Sequence, residues 1–464
     1  MSDVRPAAGV AFDSEAPVLI IGAGAAGLCA ALAASEAGAD PVVIERDAVP
    51  AGSTALSAGL IPAAGTRFQR AQVIADSSEL FAADIQRKAH GTADPLLVAA
   101  VAEGAGRAIE WLAERYALPF DVITNFNYPG HSALRMHGLP SRTGAELIDR
   151  LRSAVEARAI PILTDAVGAT LFADADGCIR GIEARRGAGV ERIGCGALIL
   201  ACNGYGGEPA LVRRFIPEMA DALYFGHAGN RGDAVIWGEA RGARLSHLSG
   251  YQGHGSVATP HNILITWAVI MEGGFQVNRE GLRFANEALG YSEHTTQVLR
   301  QPGGIGFDIF DARIAAIARQ FRDFGDAERA GAVIAAATID ELAEIIGVPD
   351  AALKAELDDI EIGAGSAQPD RFGRSFDLAK RLVPPYRAIK VTGALFHTQG
   401  GLAVDREARV LRQDGAPFPN LFAAGGAAAG VSGPAADGYL SGNGLLTATT
   451  LGRIAGGAAA RMLV

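Results

Sequence analysis

A strand-like run, Pro17-Val-Leu-Ile-Ile21, leads straight into Gly22-Ala-Gly-Ala-Ala-Gly27, and Glu45 closes the next apolar run, Pro41-Val-Val-Ile-Glu45. Glycine at these three positions suits a dinucleotide. Gly22 permits a tight turn, Gly24 lets backbone approach a pyrophosphate, and Gly27 lets helix and strand pack closely. The helix that follows offers unpaired N–H groups and a partial positive charge to phosphates. Glu45 stands close to the spacing at which a carboxylate accepts hydrogen bonds from ribose hydroxyls. A second run of small and hydroxylated residues, Ala51-Gly-Ser-Thr-Ala-Leu-Ser-Ala-Gly59, comes next. Far along the chain, Asn420-Leu-Phe-Ala-Ala-Gly-Gly426 reads as a strand entering another glycine turn, and Ser441-Gly-Asn-Gly-Leu-Leu446 leads a small-residue helix. A cofactor touched by both ends of a chain is long. No other GxGxxG follows a strand, which speaks against a separate nicotinamide domain, so FAD fits better than NAD.

These groups need a frame. The first segment is a βαβ start whose buried parallel strands read as continuous Val and Ile. Pro95 to Tyr116 has helical spacing, and a further helix begins at Arg142-Thr-Gly-Ala. Residues 161–200 read as β pieces with turns at Asp176-Gly177 and Gly187–Gly189. Around 308–360 charged, Ala-rich helices take over, with Thr338-Ile-Asp-Glu341 as a capping box. Pro384-Pro385 marks a break, after which strand-like sequence returns. Length and composition agree: 464 residues suggest two or three domains. Gly is the outlier at 59 residues, which implies many close backbone approaches. A net charge of −10 argues against a nucleic-acid partner. The four scattered cysteines form neither a disulfide framework nor a metal site. Met1 to Pro17 lacks the apolar run of a signal peptide, and nothing reads as a membrane span. A soluble, cytoplasmic protein is expected.

The Gly22–Glu45 fingerprint, the Gly52–Gly59 loop, the Leu421–Gly425 strand-turn and the Leu440–Leu445 helix start together resemble one family. It comprises FAD-dependent oxidoreductases typified by soluble fumarate reductase flavoproteins and 3-ketosteroid Δ1-dehydrogenases. The resemblance covers about Pro17 to Gly457 and implies a Rossmann-like FAD domain interrupted by a capping domain that closes over the substrate. It implies cofactor contacts at Gly22, Gly24, Ala25, Ala26, Gly27, Glu45, Arg46, Gly52, Ser53, Thr54, Ser57, Ala58, Gly59, Val167, Ala201, Gly204, Gly425, Gly444, Leu445 and Leu446. One departure stands out: relatives usually carry an acidic or amide residue where this chain has Gly426, which puts a ribitol contact in doubt. The Ala51–Gly59 loop holds no His, so FAD is expected to be non-covalent.

Carried over position by position, the two substrate histidines of fumarate reductases fall on His254 and His397. Their proton-donor Arg falls on Tyr291, four residues after Glu287, and their substrate-clamping Arg falls on Tyr439. Their relay Glu and Arg fall on Trp267 and Ile270, after Thr266. An Arg fork matches a carboxylate bidentately and a phenol does not. A succinate-like dianion would therefore meet a desolvation cost of several kcal/mol per uncompensated charge. Tyrosines at these positions instead resemble the ketosteroid dehydrogenases. There Tyr439, with the N–H of Gly442 or Gly444, would polarise a ketone, and Tyr291 would take the α-proton. A phenol ordinarily ionises only near pH 10, so it needs a donor or cation to do so, and His294 or His254 could supply it. His254 and His397 as a pair could also bind a carboxylate on the substrate; otherwise they are hydrogen-bonders at the cap hinge. Trp267, Thr266 and Tyr128 are expected to line the substrate pocket. Arg135 reads equally as an entrance contact or a solvated loop residue, and Arg142 as a helix start.

The expected fold is α/β. A Rossmann-like FAD domain is formed by 1–245 and 394–464, with an α+β capping domain at 246–393. The expected reaction is FAD-dependent desaturation of a cyclic ketone, an oxo-cycloalkane carboxylate or a 3-ketosteroid, with an external electron acceptor. Two alternatives remain: an ene-reductase running the same chemistry backwards, and a flavin electron-transfer subunit.

Overall fold

The computed structural model describes residues 3–125, 127–366 and 368–463, so Met1 and Ser2 of the terminus read above lie outside it. The described chain divides into two compact units. The first comprises 1–217, 226–251 and 397–464; the second comprises 218–225 and 252–396. The boundaries expected at 245/246 and 393/394 thus stand against divisions at 251/252 and 396/397. The short piece Glu218–Phe225 joins the second unit because Leu223 and Tyr224 pair with Ala394 and Leu395.

In the first unit the strand Ser14–Ile21 lies between Gly189–Leu200 and Pro41–Ile44, parallel to both. Val18, Leu19 and Ile20 are fully buried, as expected of a strand covered on both faces. Pro417–Ala423 adds in parallel on the far side of Gly189–Leu200, and Ile162–Leu163 adds beside Pro41–Ile44. The 161–200 region forms an antiparallel meander, Ala166–Ala173, Ile179–Arg186 and Gly189–Leu200. Two small-residue helices, Ala25–Glu36 and Asn443–Leu463, pack against each other. Any side chain at Gly452 or Gly456 would run into the backbone of Ala26 or Ala30. Side-chain bulk is excluded there so that both helix starts can reach the glycine turns. The Pro95–Tyr116 helix begins at Asp94, whose carboxylate accepts from the N–H groups of Leu96 and Leu97.

The second unit is built on a seven-stranded sheet whose central strand is Tyr386–Thr398. Ile305–Asp311 and Val333–Ala336 both pair with it antiparallel. Thr338 caps the helix Ile339–Ile346 by accepting from Glu341 N–H, but the Glu341 carboxylate takes the N–H of Ala337, one residue outside the expected box. A complete capping box occurs instead at Thr66 and Gln69.

Within this unit one carboxylate gathers two guanidiniums just ahead of the helix Tyr291–Leu299. Buried Glu287 takes a two-point fork from Arg283 (2.9 and 2.8 Å) and a third bond from Arg374 (2.9 Å). Arg374 also donates to the carbonyls of Ile270 and Gly274. Burial pushes the Glu287 pKa up, but Arg374 and Arg283 together bring it down to about 2. A depressed acid stabilises the fold above its unfolded pKa near 4.5 and loses that contribution as pH falls toward 2. Glu287→Gln should therefore cost about 3 kcal/mol in denaturant unfolding at pH 7, because two buried guanidiniums lose their counter-charge. The variant should also show a flatter stability profile between pH 4.5 and 2 than the parent. Equal profiles would mean that the ion cluster does not hold this unit.

Candidate active site

The first unit contains an open cleft lined by Gly22, Gly24, Ala25, Ala26 and Gly425 together with Glu45, Arg46, Gly52, Ser53, Thr54 and Ala201. A Cβ on Gly22 would stand 2.5 Å from the carbonyl oxygen of Ala201, so only glycine allows this turn. The Glu45 carboxylate is held at the cleft wall by the N–H groups of Ala23 (2.7 Å) and Asp47 (3.0 Å). Helix Ala25–Glu36 has no side-chain cap from Gly24, and Thr54 Oγ1 takes only the N–H of Ala25. First-turn N–H groups therefore remain for an anion. Arg46 is paired with Asp233 at 2.9 Å. A glycine floor, an uncapped helix start and a pinned carboxylate fit the phosphates and ribose of a dinucleotide.

Several expected contacts lie outside that cleft. Gly27 packs on the Gly22 backbone, and Gly59 packs on Thr143. The Ser57 hydroxyl donates to Thr54 O and accepts from Gly59 N–H. Ala58 packs against the Leu60, Ile123 and Met136 cluster. Val167 is a partly exposed strand residue, and Gly204 abuts Thr398. Gly444, Leu445 and Leu446 form the first turn of the C-terminal helix. Conversely, Asp47, Cys202, Asn203, His227 and Asn230 line the cleft without having been expected there. Asn230 donates to Ser53 Oγ at 2.8 Å. Nothing in the spacing of the Asn230-Arg-Gly-Asp233 segment that supplies it shows the chain folding back over the Ser53 turn.

The start of the C-terminal helix gathers a second group in the same unit. Tyr439 is buried and meets His397 edge to face at 5.7 Å. A side chain at Gly444 would strike the His397 ring, its Cβ 2.7 Å from Nε2. A hydrogen-bond chain reaches the ring: Asn443 donates to Ser432 Oγ, Ser432 to Gln399 Oε1, and Gln399 Nε2 lies 2.9 Å from His397 Nδ1, which also lies 3.3 Å from the carbonyl oxygen of Thr398. Gly442 adopts φ +86°, and His131 donates to the carbonyl of Ser441 at 3.0 Å, holding the turn. Burial pushes the phenol of half-buried Tyr128 up, and nearby Tyr439 raises it further.

The second unit gathers an aromatic group around Tyr291. His254 stacks on its ring at 4.8 Å and 23°. Trp267 stands edge-on to His254 (5.5 Å) and to Tyr291 (6.2 Å). Thr266 Oγ1 accepts from Ala268 N–H at the start of the following short helix. His254 Nδ1 accepts from Ser256 N–H, so its proton is on Nε2. Ser256 Oγ donates to Asp308 (2.5 Å), which also accepts from Gln276 Nε2 (2.6 Å), while Gln276 Oε1 accepts from His294 Nε2 (2.8 Å). Burial raises the Asp308 carboxyl to about 7.

Two expectations change. Burial drives His254 to about 3 and His294 and His397 to about 4, so none carries charge at neutral pH. Of the two aids expected for Tyr291, a donor or a cation, these low imidazole values favour a neutral donor. Arg135 is not a solvated loop residue: it is fully buried, with Asp76 at 2.8 Å and Asp84 at 2.5 Å. Arg374, which sequence reading missed, supplies a guanidinium beneath Ile270, but its charge is spent on Glu287. Its only signal was the Arg371-Phe-Gly-Arg374 turn, far along the chain. Among the described residues no cluster of His, Cys, Asp and Glu could hold a metal. None of their helices is long and apolar enough to cross a membrane.

Residues 17–445 match a family model described as an FAD binding domain. A probable fumarate reductase of Shewanella frigidimarina is 30% identical over 445 residues, 96% of this chain and 74% of that protein. A 4-oxocyclohex-2-ene-1-carboxylate 5-dehydrogenase of Sinomonas cyclohexanicum is 27% identical over 282 residues, 52% of this chain and 47% of its own length. The solved 3-ketosteroid-Δ4-(5α)-dehydrogenase of Rhodococcus jostii shares the fold, with a TM-score of 0.78, 24% identity, and coverage of 99% of this chain and 100% of that one. With a cleft shaped for a dinucleotide and relatives of this kind, the chain belongs to the FAD-binding domain family and is an FAD-dependent oxidoreductase acting on CH–CH bonds.

Proposed function

We propose that this enzyme desaturates a cyclic ketone, forming a double bond α,β to the carbonyl, with an oxo-cycloalkane carboxylate as the favoured substrate class and a 3-ketosteroid as the other. What carries this reading is a phenol, Tyr291 and Tyr439, at the two positions where the resemblance to fumarate reductases expects a guanidinium, with the histidines His254 and His397 neutral. The dehydrogenase relative named for an oxocyclohexene carboxylate supports the ring and the acid.

In this reading Tyr439 donates its O–H to the ketone oxygen, and the backbone N–H of Gly442 or Gly444 donates beside it. Both groups favour the charge that develops on that oxygen as the α-proton leaves. Tyr291, as phenolate, takes the α-proton; the C–H pair left on carbon becomes the new C=C as the β-hydrogen departs with its electrons. Bound FAD, held without a covalent link, supplies the two-electron acceptor for that hydride. Trp267 and Phe396 pack on His254, the ring stacked on Tyr291. The fumarate-reductase relative supports the reverse direction, reduction of an unsaturated ketone or acid through the same groups.

Anaerobic mixing of the yellow protein with cyclohexanone derivatives, steroid ketones and dicarboxylates tests the proposal. Bleaching by a ketone, and none by succinate, is the expected result. Tyr291→Phe and Tyr439→Phe should retain FAD while slowing bleaching by about 10²–10⁴-fold. Full-rate bleaching in both variants would remove the phenols from the mechanism. Steady colour with every small molecule would leave the chain as an electron-transfer subunit.

A further inference from the structure

We propose that Asn203 replaces the side chain that Gly426 lacks and donates its amide to the polyol chain of FAD. Relatives usually carry an acid or amide at the position of Gly426. Here a Cβ at 426 would run into Asn203 Oδ1, with the N–H of Gly204 3.0 Å away. Asn203 therefore stands where a side chain at 426 would begin. Its Oδ1 accepts from Gly204 N–H at 2.8 Å, which fixes the amide orientation and leaves Nδ2 as the free donor. Among the described residues Nδ2 has no hydrogen-bond partner, and Asn203 and Gly426 both line the cleft. Asn203 also holds a left-handed φ of +63°, a conformation that glycine would adopt more readily. A left-handed amide with a vacant donor, lining a cofactor cleft beside a glycine turn that offers no side chain, is best accounted for by a ligand contact.

The test reads FAD retention, not turnover. Asn203→Gly should weaken FAD binding about tenfold, measured by quenching of FAD fluorescence on titrating the apoprotein. Gly426→Glu alone should bind FAD poorly, since its side chain meets Asn203. The double variant Asn203→Gly/Gly426→Glu should recover most of the parent affinity. A merely structural Asn203 would not be rescued from across the cleft. Parent-like affinity in Asn203→Gly, or a double variant no better than Gly426→Glu, overturns the proposal.

A second observation points to the acid end of the substrate. We infer that Arg142 binds the carboxylate of an oxo-cycloalkane carboxylate, an inference that rests on the ketone reading above. Arg142 holds φ +50°, fixed by its N–H donating to Leu139 O at 2.9 Å. Its stem packs at the patch formed by Gly138, Leu60 and Ile123, against which Tyr128 also lies. Its charge is near enough to Tyr128 to favour the phenolate form there. Unlike Arg135, Arg283 and Arg374, it has no carboxylate or other hydrogen-bond partner for its guanidinium among the described residues. With His254 and His397 neutral, the histidine pair cannot supply the counter-charge that a carboxylate needs, and Arg142 can.

Arg142→Gly suits the left-handed backbone, and Arg142→Lys keeps the charge. Binding of cyclohexanecarboxylate, an unreactive probe read from the flavin absorbance, should weaken about tenfold or more in the glycine variant and be partly restored in the lysine variant. The preference for 4-oxocyclohexane-1-carboxylate over cyclohexanone in flavin bleaching should fall by a similar factor. If neither ketone bleaches the flavin, the ketone reading fails, while Arg142-dependent binding of the probe still supports the subsite. Equal probe affinity in parent and glycine variant, or no binding to the parent, overturns it.

Discussion

Charge cancellation inside each unit is the constraint on which the chemistry depends. Family members that reduce fumarate are expected to meet a dianion with guanidiniums, and this chain still buries guanidiniums. Arg283 and Arg374 close on Glu287, and Arg135 closes on Asp76 and Asp84. Each cluster satisfies its cations with carboxylates at 2.5–2.9 Å, so none offers a charge to a ligand. Burial then does to the imidazoles what ion pairing does to the arginines. His254, His294 and His397 lose their protons far below neutrality because burial outweighs whatever opposes it, Glu287 in the case of His294. The groups left beside Tyr291 and Tyr439 are neutral donors and aromatic faces. Such surroundings favour a ketone, whose oxygen needs hydrogen bonds, over a pair of carboxylates, whose desolvation needs counter-ions.

Neutral histidines acquire a different use. The proton of His254 is placed by a neighbour, since Ser256 N–H occupies its Nδ1, while Nδ1 of His397 meets both Gln399 Nε2 and the carbonyl of Thr398. A fixed tautomer turns an imidazole into a one-way donor at Nε2. The Asn443–Ser432–Gln399 chain that orients His397 begins on the helix whose start carries Gly444, and Gly444 is the residue against which the ring rests. Ring position and helix start are thus one mechanical element, and substitutions in the chain would be felt at both.

What sequence alone revealed divides along the same physical line. The Gly22–Gly27 turn, the Val18–Ile20 strand and the Pro95–Tyr116 helix were legible because each rests on local conformation or periodicity. The capping at Thr338 was placed correctly in kind and displaced by one residue, since a flexible Glu side chain can reach Ala337 as easily as Thr338. Arg135, Arg374 and Asn203 were misread or missed. Their roles come from partners 51, 87 and 223 positions away, and nothing in composition or spacing encodes such a pairing.

Asn203 and Gly426 show how much a departure from pattern can hide. Taken singly, Gly426 is a lost contact and Asn203 an awkward left-handed residue. Taken together they are one amide moved from one strand-turn to its neighbour, made possible because Leu198–Leu200 and Leu421–Ala423 run side by side. Parallel pairing brings both turns to the same end of the sheet, where ligands of open α/β folds collect. A side chain can be supplied from either turn, but not from both, because the two would occupy the same space. The glycine at 426 is then a requirement of the asparagine at 203, and the cleft keeps its polar wall through an exchange that neither position discloses alone.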